Sequence, residues 1–377
     1  MFLRRALRFS IKAGINNHGR GLRALTQLAG RPGIVDEETF RYPKHLGSYR
    51  DDLPFGINGD GVEKTNLESY SRDIRPKLDQ LLLKHGGVIF KGLPLDSSIE
   101  FSRFIRALGY DGMDYVGGVA SRLKIAEGVI EASTYEEHED TMEPHCEMAY
   151  FSVFPHLFFL YCEVAPSAGC GGECGVTDQR EVLLKLDPEV VEKFKKKGVR
   201  YHRCLTNRDT PNPLHGYGSW QSSLRTDDRK EAERKLAEAG HRPDQYHWNE
   251  DGSLRFWTTS QVLVPHYKTG EMMWFNQVDS MNWTYFKSKT GKLYDLLKNE
   301  DPAMSPFTTY YGDGTDIEPD VLQHIREVQW RCTVAEQPQQ GNVLALDNMR
   351  VAHSKFGYKG PRTMRVALAR WADSDSK

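Results

Sequence analysis

Cysteine is scarce in this chain: six residues in 377 do not make the disulfide framework of a small secreted scaffold. Cys162, Cys170 and Cys174 cluster, but no second Cys/His pair completes a zinc ligand set at standard spacing. All six are therefore expected as reduced thiols. Long apolar runs are missing as well. The most apolar stretch, Leu157–Val164, follows Pro155 and His156 and falls far short of the ~18 residues of a membrane helix. A membrane partner is therefore not expected. There is no overall basic excess, since the formal net charge is -2, and nucleic acid is not an expected partner. Four catalytic signatures are absent: G-x-x-x-x-G-K-[ST], a G-x-G-x-x-G after a strand, G-x-S-x-G and H-E-x-x-H. His138-Glu139 begins the last of these, but Met142 stands where its second histidine would be. Nucleotide hydrolysis, dinucleotide-dependent hydride transfer, serine hydrolysis and zincin chemistry lose their usual footholds.

What is present is an ordinary globular composition, 39% hydrophobic and 27% charged, enough to bury a sizeable core. Charge is unevenly spread. Residues 1–35 carry seven Lys/Arg and no acid before Asp36, leaving the remainder at a net -9. An Arg-rich, acid-free, amphipathic start reads as a mitochondrial presequence directing the protein to the matrix, or else as a disordered basic arm. From residue 40 to 377 a single domain is expected, with a polar insertion around 207–253.

Periodicity predicts helices over Arg72–His85 and Ser98–Leu108 and buried strands at Val88–Phe90 and Leu157–Val164. A helical stretch at Glu181–Lys197 is split by Pro188. Further helices are expected at Asp227–Gly240 and Glu318–Cys332, with closing strands at Val343–Asp347 and Met364–Trp371. Strands at both ends of a long middle segment indicate a mainly β core with decorating helices.

The residues that can carry chemistry centre on His145-Cys146-Glu147. On a strand, positions i and i+2 share a face, so His145 and Glu147 can meet one metal while Cys146 points away. A second histidine would complete a two-His, one-carboxylate set suited to Fe(II). His353 is the candidate, because Val343–Asp347, a turn at Asp347-Asn348 and a second short strand would turn it back into the core. In the last strand Arg365, Ala367 and Ala369 share one face and Arg362 and Arg370 the other. An arginine flanked by small residues has room to grip a carboxylate with its planar fork.

In order, H-x-E, Gly171-Gly-Glu-Cys174, Gly341-Asn-Val-Leu-Ala-Leu-Asp-Asn-Met-Arg-Val-Ala-His353 and Gly360-Pro-Arg-Thr-Met-Arg-Val366 resemble the taurine dioxygenase / clavaminate synthase-like family of Fe(II)/2-oxoglutarate oxygenases. The block His85–Pro94 is similar to that family's entry helix and strand, and Tyr115–Arg122 to a segment of its plant branch. The resemblance implies a double-stranded β-helix (jelly-roll) core and iron held by His145, Glu147 and His353. It implies O2 and 2-oxoglutarate as co-substrates, with the distal carboxylate of 2-oxoglutarate on Arg365 or, failing that, Arg362. Cys174 replaces a threonine that often hydrogen-bonds 2-oxoglutarate, and a thiol is a weak donor. Arg122 is a candidate contact for an anionic substrate, and Asn276, within Trp274-Phe-Asn-Gln277, a candidate substrate or supporting contact. His138, Glu143, His156 and His266 are read as surface or core polar residues. The expected activity is hydroxylation of a small molecule with release of succinate and CO2. The alternatives are a non-catalytic metal- or ligand-binding jelly roll and a zinc-dependent hydrolase.

Overall fold

The computed structural model describes residues 50–115, 122–132, 137–288 and 293–371. The basic arm at 1–35 and the segment 116–121 lie outside them.

The entry helix runs Leu67–His85, one turn longer at its start than periodicity predicts, and Gly86 ends it at a φ of +80°. Strand Gly87–Lys91 follows. The second helix, Ser98–Leu108, has the expected bounds; Ser97 caps it by accepting from the backbone N–H of Glu100, and left-handed Gly109 closes it. Leu78, Leu82, Phe101, Phe104 and Leu108 from these helices pack on Phe159, Tyr161, Ala367 and Ala369. Each large side chain so buried contributes roughly 1.5–3 kcal/mol.

Those last residues belong to an eight-stranded sheet. Its central order is Phe55–Asn58, Gly87–Lys91, Val343–Asp347, Leu157–Val164 and Thr363–Arg370. A four-stranded sheet of Thr333–Glu336, Cys174–Asp178, Val351–Lys355 and Met142–His145 accompanies it. Phe158, Leu160, Met364, Val366 and Leu368 of the larger sheet share one apolar cluster with Val176, Val334 and Val351 of the smaller. The larger sheet is thus apolar on both faces, toward the helices and toward its companion. Sheets and helices together make a sheet-rich fold decorated by helices.

Between Cys174–Asp178 and Thr333–Glu336 the chain makes a long excursion with its own four-stranded sheet. Three of its strands, Val199–Leu205, Leu254–Ser260 and Phe307–Tyr311, lie outside the polar stretch 207–253, so this subregion is larger than its polarity suggests. Pro188 splits the early helix as expected, into Gln179–Lys185 and Pro188–Lys197. Among the described residues no helix is long and apolar enough to cross a membrane.

Candidate metal and co-substrate site

Strand Val351–Lys355 lies between Cys174–Asp178 and Met142–His145. In its register His353 stands directly opposite His145 on one side and Val176 on the other. The two imidazoles approach to 4.3 Å between ring centres. Glu147 joins them by a route the i, i+2 argument does not describe. The strand ends at His145, and Glu147 sits in the turn that follows. Cys146 does point away, packing with Met273, Phe275, Met349 and Ala352. One donor atom from each of His145, Glu147 and His353 lies within 4.8 Å of the other two, and His353 Nε2 is 3.6 Å from Glu147 Oε2.

Each donor is held by its surroundings. His145 Nδ1 lies 2.9 Å from the carbonyl of Glu143. A carbonyl can only accept, so Nδ1 carries the proton and the Nε2 lone pair is free for a metal. His353 stacks on Phe158 with ring centres 4.1 Å apart. Burial, then the neighbouring His145 and the cationic Arg122, push its pKa well below the ordinary value, which keeps the ring neutral as ligation requires. Its Nδ1 is buried without a hydrogen-bond partner, so stacking orients this ring where a hydrogen bond orients His145.

Glu147 is fixed through its backbone. Its N–H donates to Asn348 Oδ1 at 2.7 Å, while Asn348 Nδ2 donates to the carbonyls of Glu147 at 2.9 Å and Pro155 at 2.8 Å. Gln277 Nε2 donates to the carbonyl of Cys146 at 2.5 Å. The next residue, Met148, holds a φ of +58°, a rarely occupied conformation for a side chain of this kind. The turn before His353 is braced in the same manner. Asp347 Oδ1 accepts from Met349 N–H at 3.2 Å, and its Oδ2 meets His266 Nε2 at 2.8 Å. His266 Nδ1 accepts from the N–H groups of Lys268 and Thr269. Asn348, Gln277 and His266 thus position the site by gripping backbone atoms or the Asp347 turn.

The two candidate arginines lie on opposite faces, as parity predicts, but the inner face is the other one. Arg365 shares its face with Ala367 and Ala369, which receive the helices. There its Nε donates to Glu163 Oε2 at 2.7 Å and to Ser98 Oγ at 3.1 Å. Met364, Val366 and Leu368 face the companion sheet instead. The small residues beside Arg365 make room for helices, not for a ligand. Arg362, the fallback, donates through Nε to the carbonyl of Gly172 at 3.1 Å and through Nη2 to Cys174 Sγ at 3.5 Å. Gly172 holds a φ of +83°, and a Cβ there would lie 3.0 Å from Arg362 Cδ, so the glycine leaves space for the guanidinium stem. Cys174 pairs with Lys355, two positions beyond His353 in the same strand, about 7 Å along it. Burial raises the Cys174 pKa against the opposing effect of Arg362, so the group beside the arginine is a neutral thiol.

Two further candidates separate. Arg122 reaches the site: its Nη2 lies 3.2 Å and 3.3 Å from the two carboxylate oxygens of Glu147. Asn276 does not join it. Its side chain donates to the carbonyl of Val262 and accepts from the N–H of Val278, bracing the turn that presents Gln277.

Two imidazoles and one carboxylate brought to one point form the donor set that leaves positions open on an iron(II) ion. A profile of the "Taurine catabolism dioxygenase TauD, TfdA family" matches residues 49–368. The "Clavaminate synthase-like protein At3g21360" of Arabidopsis thaliana is 31% identical over 301 residues, covering 78% of this chain and 84% of that protein. The chain belongs to the TauD/TfdA family. It is an iron(II)- and 2-oxoglutarate-dependent dioxygenase that uses O2. A second relative, the "Dapdiamide synthesis protein DdaC" of Enterobacter agglomerans, is 29% identical over 291 residues, covering 77% of this chain and 84% of that protein. Among solved structures, that of AAD-2 with Mn(II) and N-oxalylglycine aligns with 13% identity and a TM-score of 0.48, covering 88% of this chain and 96% of that one.

Proposed function

We propose that the protein hydroxylates an unactivated C–H bond of a small molecule, with His145, Glu147 and His353 as the iron ligands. The observation that carries this reading is the convergence of their three donor atoms within 4.8 Å in a chain of a dioxygenase family. The two packed sheets are read as the halves of a double-stranded β-helix. The distal carboxylate of 2-oxoglutarate is assigned to Arg362 beside Cys174, because Arg365 is already engaged by Glu163.

Iron and 2-oxoglutarate, when bound, supply the oxidising chemistry, with succinate and CO2 as the by-products. The chain's own residues do the rest. His145 offers Nε2 because the Glu143 carbonyl holds its Nδ1 proton. His353 stays neutral through burial and is aligned by Phe158. Asn348 and Gln277 fix the turn that carries Glu147. Arg362 supplies a planar cation for a carboxylate, and Cys174 contributes bulk and little hydrogen bonding. Phe158, Leu160, Val176 and Met364 line the space between the sheets with apolar surface, which excludes water from reactive species.

The test is an anaerobic titration of the Fe(II)-loaded protein with 2-oxoglutarate. A visible charge-transfer band should appear, followed by succinate on admission of O2. Hydrolysis of esters or amides with Zn(II), and no succinate with Fe(II), would overturn the reading. We also propose that residues 1–35 direct mitochondrial import, on the strength of their seven basic residues and lack of acid.

A further inference from the structure

His145 takes its tautomer from the carbonyl of Glu143, and that carbonyl lies where the strand ladder holds it least. His145 pairs with His353 and Met142 with Lys355, so two residues, Glu143 and Pro144, stand opposite the single Ser354. An extra residue of this kind makes a bulge, at which the ladder is interrupted, and Pro144 has no N–H with which to restore a bond. The side chain of Glu143 supplies an anchor there. It is buried, and its Oε2 accepts from the indole Nε1 of Trp330 at 2.6 Å. Trp330 is itself buried, edge-on to Phe356 with ring centres 5.7 Å apart.

Trp330 stands on helix Pro319–Arg331, which also braces the chain beyond His145. Gln329 Nε2 donates to Asp279 Oδ1 at 2.7 Å, and Arg326 Nη2 to the Asp279 carbonyl at 3.0 Å. Asp279 lies two positions after Gln277, whose amide grips the carbonyl of Cys146. One helix thus reaches the metal strand before His145, through Glu143, and after it, through Gln277. Leu322, Ile325 and Val328 sink the same helix into the apolar cluster of the excursion, which makes it a firm support.

We propose that Trp330 is a positioning residue for the metal: its indole N–H holds the Glu143 carboxylate and so the carbonyl that keeps the His145 proton on Nδ1. A neutral imidazole that moves its proton to Nε2 has no lone pair left there for a metal. The indole suits the task because it can only donate. The inference rests on the assignment of His145 as an iron ligand.

The full chain is titrated anaerobically with Fe(II), and nitrogen-15 NMR of the metal-free protein at mildly alkaline pH reads the His145 tautomer, assigned by the signal lost in His145→Ala. Trp330→Phe keeps a ring against Phe356 and removes the donor. It should bind Fe(II) at least fivefold more weakly and show His145 as a mixture of tautomers, where the parent shows the Nδ1–H form alone. Glu143→Leu should do the same. Glu143→Gln, which keeps an acceptor for the indole, should stay within twofold of the parent; a residue needed only for packing would leave the tautomer unmoved. Because Trp330 acts through Glu143, the double variant Trp330→Phe/Glu143→Leu should lose no more than Glu143→Leu alone. Should Trp330→Phe not fold, the contrast between Glu143→Leu and Glu143→Gln carries the test. Parental Fe(II) affinity with a pure Nδ1–H tautomer in Trp330→Phe overturns the proposal, as do equal losses in Glu143→Gln and Glu143→Leu. If His145→Ala binds Fe(II) like the parent, the ligand assignment fails and this inference with it. A weakened His145→Ala beside an unaffected Trp330→Phe removes only the role of Trp330.

Discussion

Asn348 is not one of the three metal-donor residues, yet two of its hydrogen bonds end on the backbone of Glu147 and a third on the carbonyl of Pro155. Truncation would leave the Glu147 N–H and the Pro155 carbonyl without their partner in a buried place, at ~1–3 kcal/mol each. Asn348→Ala should therefore lower stability by about 2–4 kcal/mol in chemical denaturation and weaken Fe(II) binding as well. Arg362 and Arg365 divide their effects in the opposite sense. Leaving a carboxylate without its buried cation costs ~3–5 kcal/mol, and about 1.4 kcal/mol is tenfold in affinity. Arg362→Ala should thus weaken 2-oxoglutarate binding by roughly two orders of magnitude, read from the anaerobic absorption band. Arg365→Ala should leave that affinity near the parent value and appear as lost stability. A large affinity loss in Arg365→Ala alone would return the co-substrate to the helix-facing side and contradict the placement of Arg362.

At the scale of elements, Glu163 ties the last strand to the second helix. It accepts from the N–H and hydroxyl of Ser98 and from Arg365. Burial alone would raise its pKa, but Ser98 and Arg365 outweigh that and hold it below the usual 4.5. A lowered folded-state pKa means stability that is fully present above the unfolded value and lost as pH falls through the folded one. The stability gap between the parent and Glu163→Gln should therefore be widest near neutral pH and should close below about pH 4.5. A gap constant from pH 7 to pH 3 would show that the carboxylate charge is not what joins these elements.

The same strand shows where sequence reading stops. Ser98–Leu108, Leu157–Val164 and Val343–Asp347 were legible to the residue, because a cap, a turn or a dense apolar run marks each end. The turn that brings His353 back beside His145 was legible for the same reason. The last strand is apolar on both faces, since one packs on helices and the other on a sheet. Alternation could separate Arg362 from Arg365 but could not say which face is inner. The positioning roles of Gln277, Asn348 and His266 were not legible, because these residues act on backbone atoms or on a turn, and no local pattern marks an amide that grips a carbonyl far along the chain. Strands Val199–Leu205 and Phe307–Tyr311 bracket a polar stretch, and that polarity concealed the sheet they share.

On the scale of the whole molecule, two sheets close on an apolar interior while His145, Glu147 and His353 bring their polar atoms to one point within it. Residues 1–35 carry a charge pattern unlike the rest of the chain. Fused to a fluorescent reporter, they should deliver it to mitochondria; a reporter that stays cytosolic would leave only a basic arm. The central claim is that one metal is held by three residues from two separate parts of the chain. Anaerobic equilibrium titration with Fe(II) tests it most directly, on the parent and on His145→Ala, Glu147→Ala and His353→Ala. The parent should bind one equivalent. Each variant should bind at least a hundredfold more weakly, since replacing even a supporting partner of a ligand costs about 10–100-fold, while the metal-free melting temperature stays close to the parent's. One equivalent of Fe(II) bound at parental affinity by His353→Ala, with succinate still formed, would contradict the account.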